Sequence, residues 1–478
     1  MRERILELEE RSRRLEPDAD ERAGVRERVV EYAEGFLSRI DGINAYNVTN
    51  DKGAGLLDSP IEEQGIAVET AIELLRDNVD EPGLNPASGG HLAYIPGGGI
   101  YYSALGDYLA DVFNRYAGVF YASPGAVRME NMLIRWMNSL VGYPESASGN
   151  LASGGSIANL TAIVTARDAK GVTAAKVEHS VIYLSDQAHH SVDKAIRIAG
   201  LRECVVRTVP VDERYRMIAA ELESMIRFDI ESSLNPFLVV ASAGTTDVGA
   251  IDPLTEIGTI AKTYGLWYHI DAAYGGFFVL TEEGKRKLVG IETSDSVAID
   301  PHKGLFLPYG LGVVLVKDKA ALTAAHYYTA NYMQDAVSSD DEPSPAEMSI
   351  ELTKPFRGLR LWLPLKLHGV APFRNALDEK LLLAKYFYEE IQKLGFETRI
   401  EPELSVVIYR YLPESGDAND FNKALLNYVV ADGRTFISST MLNRDYMLRF
   451  ACLAFRTHLK TVDTLLSVLK EGVRELSA

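Results

Sequence analysis

The residues with the clearest chemical potential lie where apolar runs of the sequence end. Lys303 follows the run Val297–Ile299 in the segment Asp300-Pro-His-Lys, and Asp271 ends the run that begins at Leu266. Reactive groups of α/β sheets lie at such strand ends, and a lysine there can form a Schiff base with a carbonyl cofactor. Taken alone, Lys303 could equally be a solvated loop lysine, and Asp271 could simply cap a turn.

Three further segments share this placement. Gly154, Gly155 and Ser156 precede a predicted helix, so their backbone could approach an anion closely, with Ser156 as the N-cap. His189 follows another apolar run, where an imidazole could stack on a planar ring or relay a proton. Thr246 follows a third run and could contact a phosphate or a ring. Ordinary turns explain each segment separately, and the two adjacent histidines lack a third ligand at a spacing diagnostic of metal.

Together, these segments supply the parts of a pyridoxal phosphate site. They provide an anion cradle, a residue that can stack on a ring, a carboxylate and a lysine amine, and they recur at the ends of successive predicted strands, where ligands of α/β sheets bind. The Asp271 charge would favour the protonated form of a pyridine nitrogen. A protonated pyridine ring withdraws electrons from a carbanion.

The elements that must position these residues follow a strand, turn, helix pattern between about residues 145 and 320. Continuous apolar runs of this length are typical of strands buried on both faces of a mostly parallel sheet, which predicts an open α/β fold. The predicted strands are Val181–Leu184, Phe237–Ala241, Leu266–Ile270, Val297–Ile299 and Val313–Val316, and the predicted helices lie near 157–169, 190–199, 215–226 and 253–264.

The rest of the chain divides around this region. We predict an N-terminal helical segment over 1–85, a large domain over 86–355 and a smaller α+β domain over 356–478. The polar, acidic stretch 332–354 is predicted to be a mobile loop of the large domain. One helical stripe near the N-terminus could pack on a partner subunit or on its own chain: Val25, Val29, Tyr32, Phe36 and Ile40.

Composition excludes several classes of protein. The 478 residues, 47% of them hydrophobic, can form a large core. A net charge of −18 argues against binding to nucleic acid or to anionic membranes. The two cysteines, Cys204 and Cys452, argue against a disulfide framework. The N-terminus lacks the apolar core of a signal peptide, and no run approaches the roughly 18 apolar residues of a membrane span. We therefore expect a cytoplasmic protein.

Nine segments, from about residue 85 to the C-terminus, resemble the group II pyridoxal-phosphate-dependent amino-acid decarboxylases, which include aromatic-L-amino-acid decarboxylase. They occur in the family's order and at its spacing. The segments are His91-Leu-Ala-Tyr-Ile-Pro-Gly, Ser123-Pro-Gly with Glu130, Ser153-Gly-Gly-Ser, Ser185-Asp-Gln-Ala-His, Gly244-Thr-Thr, His269-Ile-Asp-Ala-Ala-Tyr, Asp300-Pro-His-Lys, Phe356-Arg-Gly-Leu-Arg-Leu-Trp and Leu448-Arg-Phe-Ala.

The resemblance implies pyridoxal 5′-phosphate as cofactor, the aspartate-aminotransferase-like architecture called fold type I, and a homodimer with its active sites at the interface. Lys303 would form the internal aldimine, and Asp271 would pair with the pyridine nitrogen. Ala273 would pack against the ring, and His189 would stack on its other face.

The same resemblance implies the remaining contacts. Gly155, Ser156 and His302 would contact the phosphate, with Thr246 nearby. The substrate pocket would be lined by Tyr94, Ile95 and Pro96. One departure is Gly97-Gly98-Gly99, which leaves more room than the corresponding segment of the aromatic-amino-acid enzymes.

The expected reaction is α-decarboxylation of an L-amino acid, with an aromatic substrate weakly favoured by Tyr94 and its neighbours. Tyr332, with His189 as a possible helper, would return a proton after carbon dioxide leaves. Related aldehyde synthases typically have phenylalanine in place of this tyrosine, although Tyr327 and Tyr328 are alternative acids and Tyr332 could merely pack. The rival hypotheses are another pyridoxal phosphate reaction, either transamination or oxidative deamination to an aldehyde, and a non-enzymatic binding protein with a relict site.

Overall fold

The computed structural model describes residues 1–328 and 342–478. The strands in this part of the chain are β1 (Tyr46–Asn47), β2 (Gly83–Leu84), β3 (Ser148–Ala152), β4 (Ser180–Ser185), β5 (Val205–Val209), β6 (Asn235–Ser242), β7 (Trp267–Asp271), β8 (Ser296–Ile299), β9 (Gly312–Val316), β10 (Phe396–Thr398), β11 (Val406–Tyr411), β12 (Ser438–Leu442) and β13 (Asp445–Ala451). The α-helices are α1 (Arg2–Ser12), α2 (Ala19–Ser38), α3 (Val68–Leu75), α4 (Tyr101–Phe113), α5 (Pro124–Leu140), α6 (Gly155–Ala169), α7 (His190–Ile198), α8 (Ala219–Glu231), α9 (Leu254–Tyr264), α10 (Glu282–Lys287), α11 (Pro301–Gly304), α12 (Lys319–His326), α13 (Gly358–His368), α14 (Ala371–Lys393), α15 (Ala418–Asp432) and α16 (Leu459–Leu476).

A seven-stranded sheet in the order β3-β9-β8-β7-β6-β4-β5 forms the centre of the molecule. All five predicted strands are present in it. Successive residues of β4 point into different cores, Val181 and Tyr183 on one face and Ile182 and Leu184 on the other. This alternation confirms burial on both faces, the physical reason that the strand sequences are continuously apolar.

One strand of this sheet runs against the others. β9 pairs antiparallel with both β3 and β8, whereas the other pairings in the sheet are parallel. The chain enters β9 directly after the one-turn helix α11. It therefore doubles back beside β8 instead of crossing the sheet through a full-length helix, as a parallel neighbour would need. An apolar run carries no signal of strand direction, so the sequence placed Val313–Val316 but not its orientation.

Helix α8 begins later than predicted, at Ala219 instead of residue 215. The preceding segment is held in an extended turn, because the Met217 backbone N–H donates to Asp252 Oδ1 at 2.7 Å and Val211 bridges to Met217. Tyr215 also has a positive φ of 61°. These long-range contacts override the helical periodicity of residues 215–218.

A second, antiparallel sheet in the order β10-β11-β13-β12 lies in the C-terminal part of the chain. One apolar core joins this sheet to α14, α15 and α16, with Phe387 and Phe450 stacked at 4.2 Å between ring centroids. This is the small α+β unit expected from the sequence. The predicted boundaries at 85 and 355 stay predictions.

The N-terminal segment is helical, as predicted. Asp18 and Glu21 form a capping box at the start of α2, which satisfies backbone donors that a helix end leaves free. Within the described part of the chain, no residue of α1 or α2 is buried. Val25 and Val29 are each 49% exposed.

Part of the segment predicted to be a mobile loop is packed against the protein. Glu342 accepts hydrogen bonds from Arg135 and Asn131, and Lys354 makes a fully buried ion pair with Glu130, with 2.7 Å between Nζ and Oε2. Residues 342–354 are therefore anchored at both ends. Among the described residues, no helix has the length and apolar character needed to cross a membrane.

Candidate active site

A cavity of about 420 Å³ opens at the edge of the large sheet where β4, β6, β7 and β8 end. These strands are parallel, so their carboxyl ends meet at one edge. Segments far apart in sequence therefore converge there. All eight predicted cofactor residues line the cavity: Gly155, Ser156, His189, Thr246, Asp271, Ala273, His302 and Lys303.

Asp271, the last residue of β7, is held by two donors. Asn159 Nδ2 donates to Oδ2 at 2.8 Å, and the Ala273 backbone N–H donates to Oδ1 at 3.1 Å. The side chain is almost fully buried. Two hydrogen bonds to a buried carboxylate fix its orientation, so Asp271 presents a rigid negative charge to the cavity.

Behind Asp271, a chain of hydrogen bonds runs through His269. Its Nε2 lies 2.9 Å from Asn159 Oδ1, which can only accept, so Nε2 carries the proton. Its Nδ1 lies 2.9 Å from Ser296 Oγ. Burial lowers the pKa of His269 to about 4, so the ring is neutral at pH 7 and Nδ1 accepts from Ser296. The network thereby orients the Asn159 amide with its NH₂ toward Asp271.

His189 is the N-cap of α7 and its protonation pattern is set by Ser191. The Ser191 backbone N–H donates to His189 Nδ1 at 3.3 Å, and Ser191 Oγ lies 2.7 Å from the same nitrogen. Nδ1 is therefore an acceptor, and Nε2 holds the proton of the neutral ring. Burial lowers the pKa of His189, with the Asp271 charge opposing it. A neutral imidazole with an N–H at Nε2 suits stacking and proton donation.

The opposite end of the cavity is built to receive an anion. Gly154 and Gly155 open the 15-residue helix α6, whose N-terminal backbone N–H groups attract negative charge. A Cβ on Gly154 would lie 3.7 Å from His302 Cε1, so the imidazole borders this loop. His302 Nδ1 is 2.6 Å from the Leu311 carbonyl, which can only accept. Nδ1 therefore holds a proton, and Nε2 is the nitrogen left for a ligand.

Lys303 lies on α11, directly after β8. Its Nζ is 3.2 Å from Asp300 Oδ2, and the Asp300 side chain is almost completely buried. The ion pair holds the amine within the cavity. Asp300 was not identified as a site residue from sequence. Its position in the Asp300-Pro-His-Lys segment was the signal that could have found it.

The segment that carries the predicted substrate residues packs beside this cavity, because the adjoining Gly97 abuts the His302 backbone. Tyr94, Ile95 and Pro96 are not among its described lining residues. Tyr94 is 60% exposed and packs against His91 and Phe436, while Ile95 is buried with a φ of +58°. Their role as a substrate pocket stays a prediction. Tyr332 lies outside the described residues.

Sequence reasoning also missed Asn159 and Ser191, which connect Asp271 to His189. The signal for Asn159 was a polar residue within the apolar stretch of α6, where a buried amide needs partners. Among the described residues, no group of three His, Cys, Asp or Glu side chains could hold a metal ion.

Comparison with known proteins agrees with this geometry. A family model described as the pyridoxal-dependent decarboxylase conserved domain matches residues 81–412. An aromatic-L-amino-acid decarboxylase of Bacillus atrophaeus is 33% identical over 427 residues, covering 88% of each chain. A phenylacetaldehyde synthase of Petunia hybrida is 29% identical over 455 residues, covering 90% of each.

Among solved structures, that of Oryza sativa TDC with PLP and tryptamine superposes with a TM-score of 0.91. The alignment covers 97% of this chain and 99% of that chain at 24% identity. This likeness confirms the predicted fold class, with a large mostly parallel sheet and a smaller antiparallel one.

Proposed function

The chain belongs to the pyridoxal-dependent decarboxylase family, and from this membership we propose that it converts an aromatic L-amino acid to the amine and carbon dioxide. The family makes it a carboxy-lyase with pyridoxal 5′-phosphate as its cofactor. One observation carries the proposal: Lys303, Asp271 and the N-terminus of α6 line a single cavity.

The residues present fit this cofactor. The start of α6 offers backbone donors beside glycines that leave the approach open, which suits a phosphate. Lys303 Nζ is the amine for the aldehyde, and Asp271 is a fixed carboxylate for the pyridine nitrogen. The neutral His189 ring lines the same cavity.

When bound, the cofactor supplies an electrophilic carbonyl carbon and a ring that withdraws electrons from the carbon losing carbon dioxide. Asp271 would hold the proton on the pyridine nitrogen, and Asn159 keeps the carboxylate aimed for that task. Lys303 would yield its place to the substrate amine. His189 Nε2–H, and Tyr332 from its segment, are the candidate donors of the proton that completes the amine.

An aromatic substrate is supported by the relatives and by a second cavity. The Bacillus atrophaeus relative is named for aromatic amino acids. A cavity of about 360 Å³ is lined by Tyr101, Tyr102, Phe306 and Phe373 among others. The Phe306 backbone N–H donates to the Lys303 carbonyl at 3.1 Å, so this aromatic cavity adjoins the lysine turn.

A second candidate reaction is aldehyde formation, favoured by the similarity to the Petunia hybrida phenylacetaldehyde synthase. The proposed acid separates the two reactions, because Tyr332 is a tyrosine in this chain where such synthases typically have phenylalanine. A phenol can protonate the carbon that has lost carbon dioxide, whereas phenylalanine cannot.

The direct test is product analysis with each of the twenty amino acids. We expect carbon dioxide and amine in equal amounts from aromatic L-amino acids, with Lys303→Ala as the inactive control. Borohydride should fix the cofactor to the peptide that contains Lys303. Aldehyde with peroxide as the main product would instead assign the synthase reaction, and label on another lysine would overturn the site.

We also propose that two copies of the chain associate through the N-terminal segment. Val25, Val29 and Val30 on α2 are each 49% exposed, and Leu57 is 84% exposed. Apolar faces of this kind are typical of surfaces covered in an assembly. The two-fold pairing that is usual for homo-oligomers would cover both copies at once.

A further inference from the structure

Asp300 is a buried acid at the end of the cavity that receives the phosphate. The residue is 1% exposed. Its Oδ2 faces Lys303 Nζ at 3.2 Å, and its Oδ1 is buried without a hydrogen-bond partner among the described residues. A buried carboxylate oxygen lacking a donor is costly and needs an explanation.

Asp300 also touches the backbone that forms the anion cradle. A Cβ on Gly155 would lie 2.9 Å from Asp300 Oδ2, and a Cβ on Gly312 would lie 2.6 Å from Oδ1. Only glycine allows the carboxylate to approach this closely. An anion bound at the start of α6 would therefore lie beside a second, buried negative charge.

The charged and titratable groups around Asp300 come from several elements. Lys303 and His302 share its own turn, with His302 Nε2 at 3.7 Å from Oδ2. From the neighbouring elements, Asp271 at the end of β7 and His189 before α7 line the same cavity. Among the described residues, Lys303 is the one close cation, and its amine must leave the ion pair with Asp300 to bind the cofactor's aldehyde. Asp300 would then lie beside the phosphate after losing its ion pair with the lysine ammonium.

We propose that Asp300 takes up a proton when the cofactor's phosphate binds, and that the resulting carboxylic acid donates a hydrogen bond to the phosphate. The proton comes from water: one carboxylate and one proton give one neutral acid, and no bond to carbon changes. A neutral acid removes the like-charge repulsion and supplies a donor for an acceptor-only ligand. The inference rests on the family's cofactor and does not depend on which amino acid is the substrate.

A proton bound only in the complex makes affinity depend on pH. Pyridoxal 5′-phosphate should bind more weakly as the pH rises, by about tenfold per pH unit for one linked proton. Pyridoxal, which lacks the phosphate, should not show this extra dependence. The titration of Lys303 affects both ligands of the same protein alike, so it cancels in the ratio of their dissociation constants. The titrations of the ligands' own groups are common to wild type and variant, so they cancel when the two proteins are compared.

The test uses the full-length protein freed of cofactor, titrated with pyridoxal 5′-phosphate and with pyridoxal between pH 6.5 and 9. The quantity compared is the dissociation constant of pyridoxal 5′-phosphate divided by that of pyridoxal. In wild type, this ratio should rise about tenfold more per pH unit than in Asp300→Asn. The variant should bind the phosphorylated ligand more tightly than wild type at pH 8.5. The matched control Asp295→Asn, at the amino end of β8 and remote from the cavity, should retain the wild-type slope.

Two results would overturn the proposal. One is an equal pH slope in wild type and Asp300→Asn. The other is an equal loss of affinity for both ligands in the variant, which would make Asp300 only a holder of Lys303. If the variant does not fold, the protons that the wild-type protein takes up on binding each ligand can be counted in weakly buffered solution. Pyridoxal 5′-phosphate should take up one proton more than pyridoxal does, and no difference would also reject the idea. Product identity plays no part in these measurements, so they fail independently of the proposed reaction.

Discussion

Replacing Asn159 by leucine should damage the site by removing the hydrogen bond that orients Asp271. The side chain is fully buried in α6. Its amide donates to Asp271 Oδ2 at 2.8 Å and to Ser191 Oγ at 3.1 Å, and it accepts from His269 Nε2 at 2.9 Å. Leucine has a similar size but can make none of these bonds.

The magnitude follows from the partners left behind. A hydrogen bond to a charged group contributes about 1.5–3 kcal/mol, and a buried donor left without a partner costs about 1–3 kcal/mol. The bond from Asn159 to Asp271 is a hydrogen bond to a charged group. The Nε2–H of His269 would become a buried donor without a partner. We therefore expect a loss of roughly 3–5 kcal/mol in the free energy of unfolding. If the bond to Asp271 serves to aim the carboxylate, kcat/KM should fall about 10- to 160-fold.

The assay combines urea unfolding, cofactor titration and steady-state kinetics at a temperature where the variant is folded. Asn138→Leu is the matched control, since Asn138 is also buried, but among the described residues its side chain makes one long bond, from Nδ2 to the Ser148 carbonyl at 3.5 Å. It should lose about 1 kcal/mol of stability at most and keep full activity. A folded Asn159→Leu enzyme with native kcat/KM and native cofactor affinity would refute the positioning role.

Three other outcomes are expected. Tyr332→Phe should still release carbon dioxide but form less amine and more aldehyde and peroxide, measured by product analysis; unchanged amine formation would redirect attention to Tyr327, Tyr328 or His189. Burial lowers the pKa of His91 to about 4, so His91 is neutral when folded and is protonated on unfolding below its usual value of 6.5. The free energy of unfolding should then decrease as the pH falls from 6.5 toward 4, and His91→Phe should remove about 1.4 kcal/mol per pH unit of that slope in urea titrations. Val29→Asp should shift light-scattering mass from dimer toward monomer, and an unaltered dimer would place the interface elsewhere.

Much of the site was predictable from sequence because it is built from strand ends. Apolar runs of three to five residues marked β4, β6, β7 and β8, and the types of the residues that follow each run indicated a function. Lys303, Asp271 and His189 were located in this way. Parallel strands carry their carboxyl ends to one edge, so local order along the chain was enough to predict that these residues meet.

The tertiary structure decided what depends on contacts between distant segments. Strand direction in β9, the late start of α8 and the packing of residues 342–354 follow from pairings that no local pattern specifies. The same holds within the site. Asn159 and Asp271 are joined across 112 positions, and the unpartnered oxygen of Asp300 is apparent only once Gly155 and Gly312 are placed against it. The types and order of the chemical groups are properties of the sequence. Their distances, tautomers and unmet hydrogen bonds arise from packing, because they depend on which remote atoms surround each group in three dimensions.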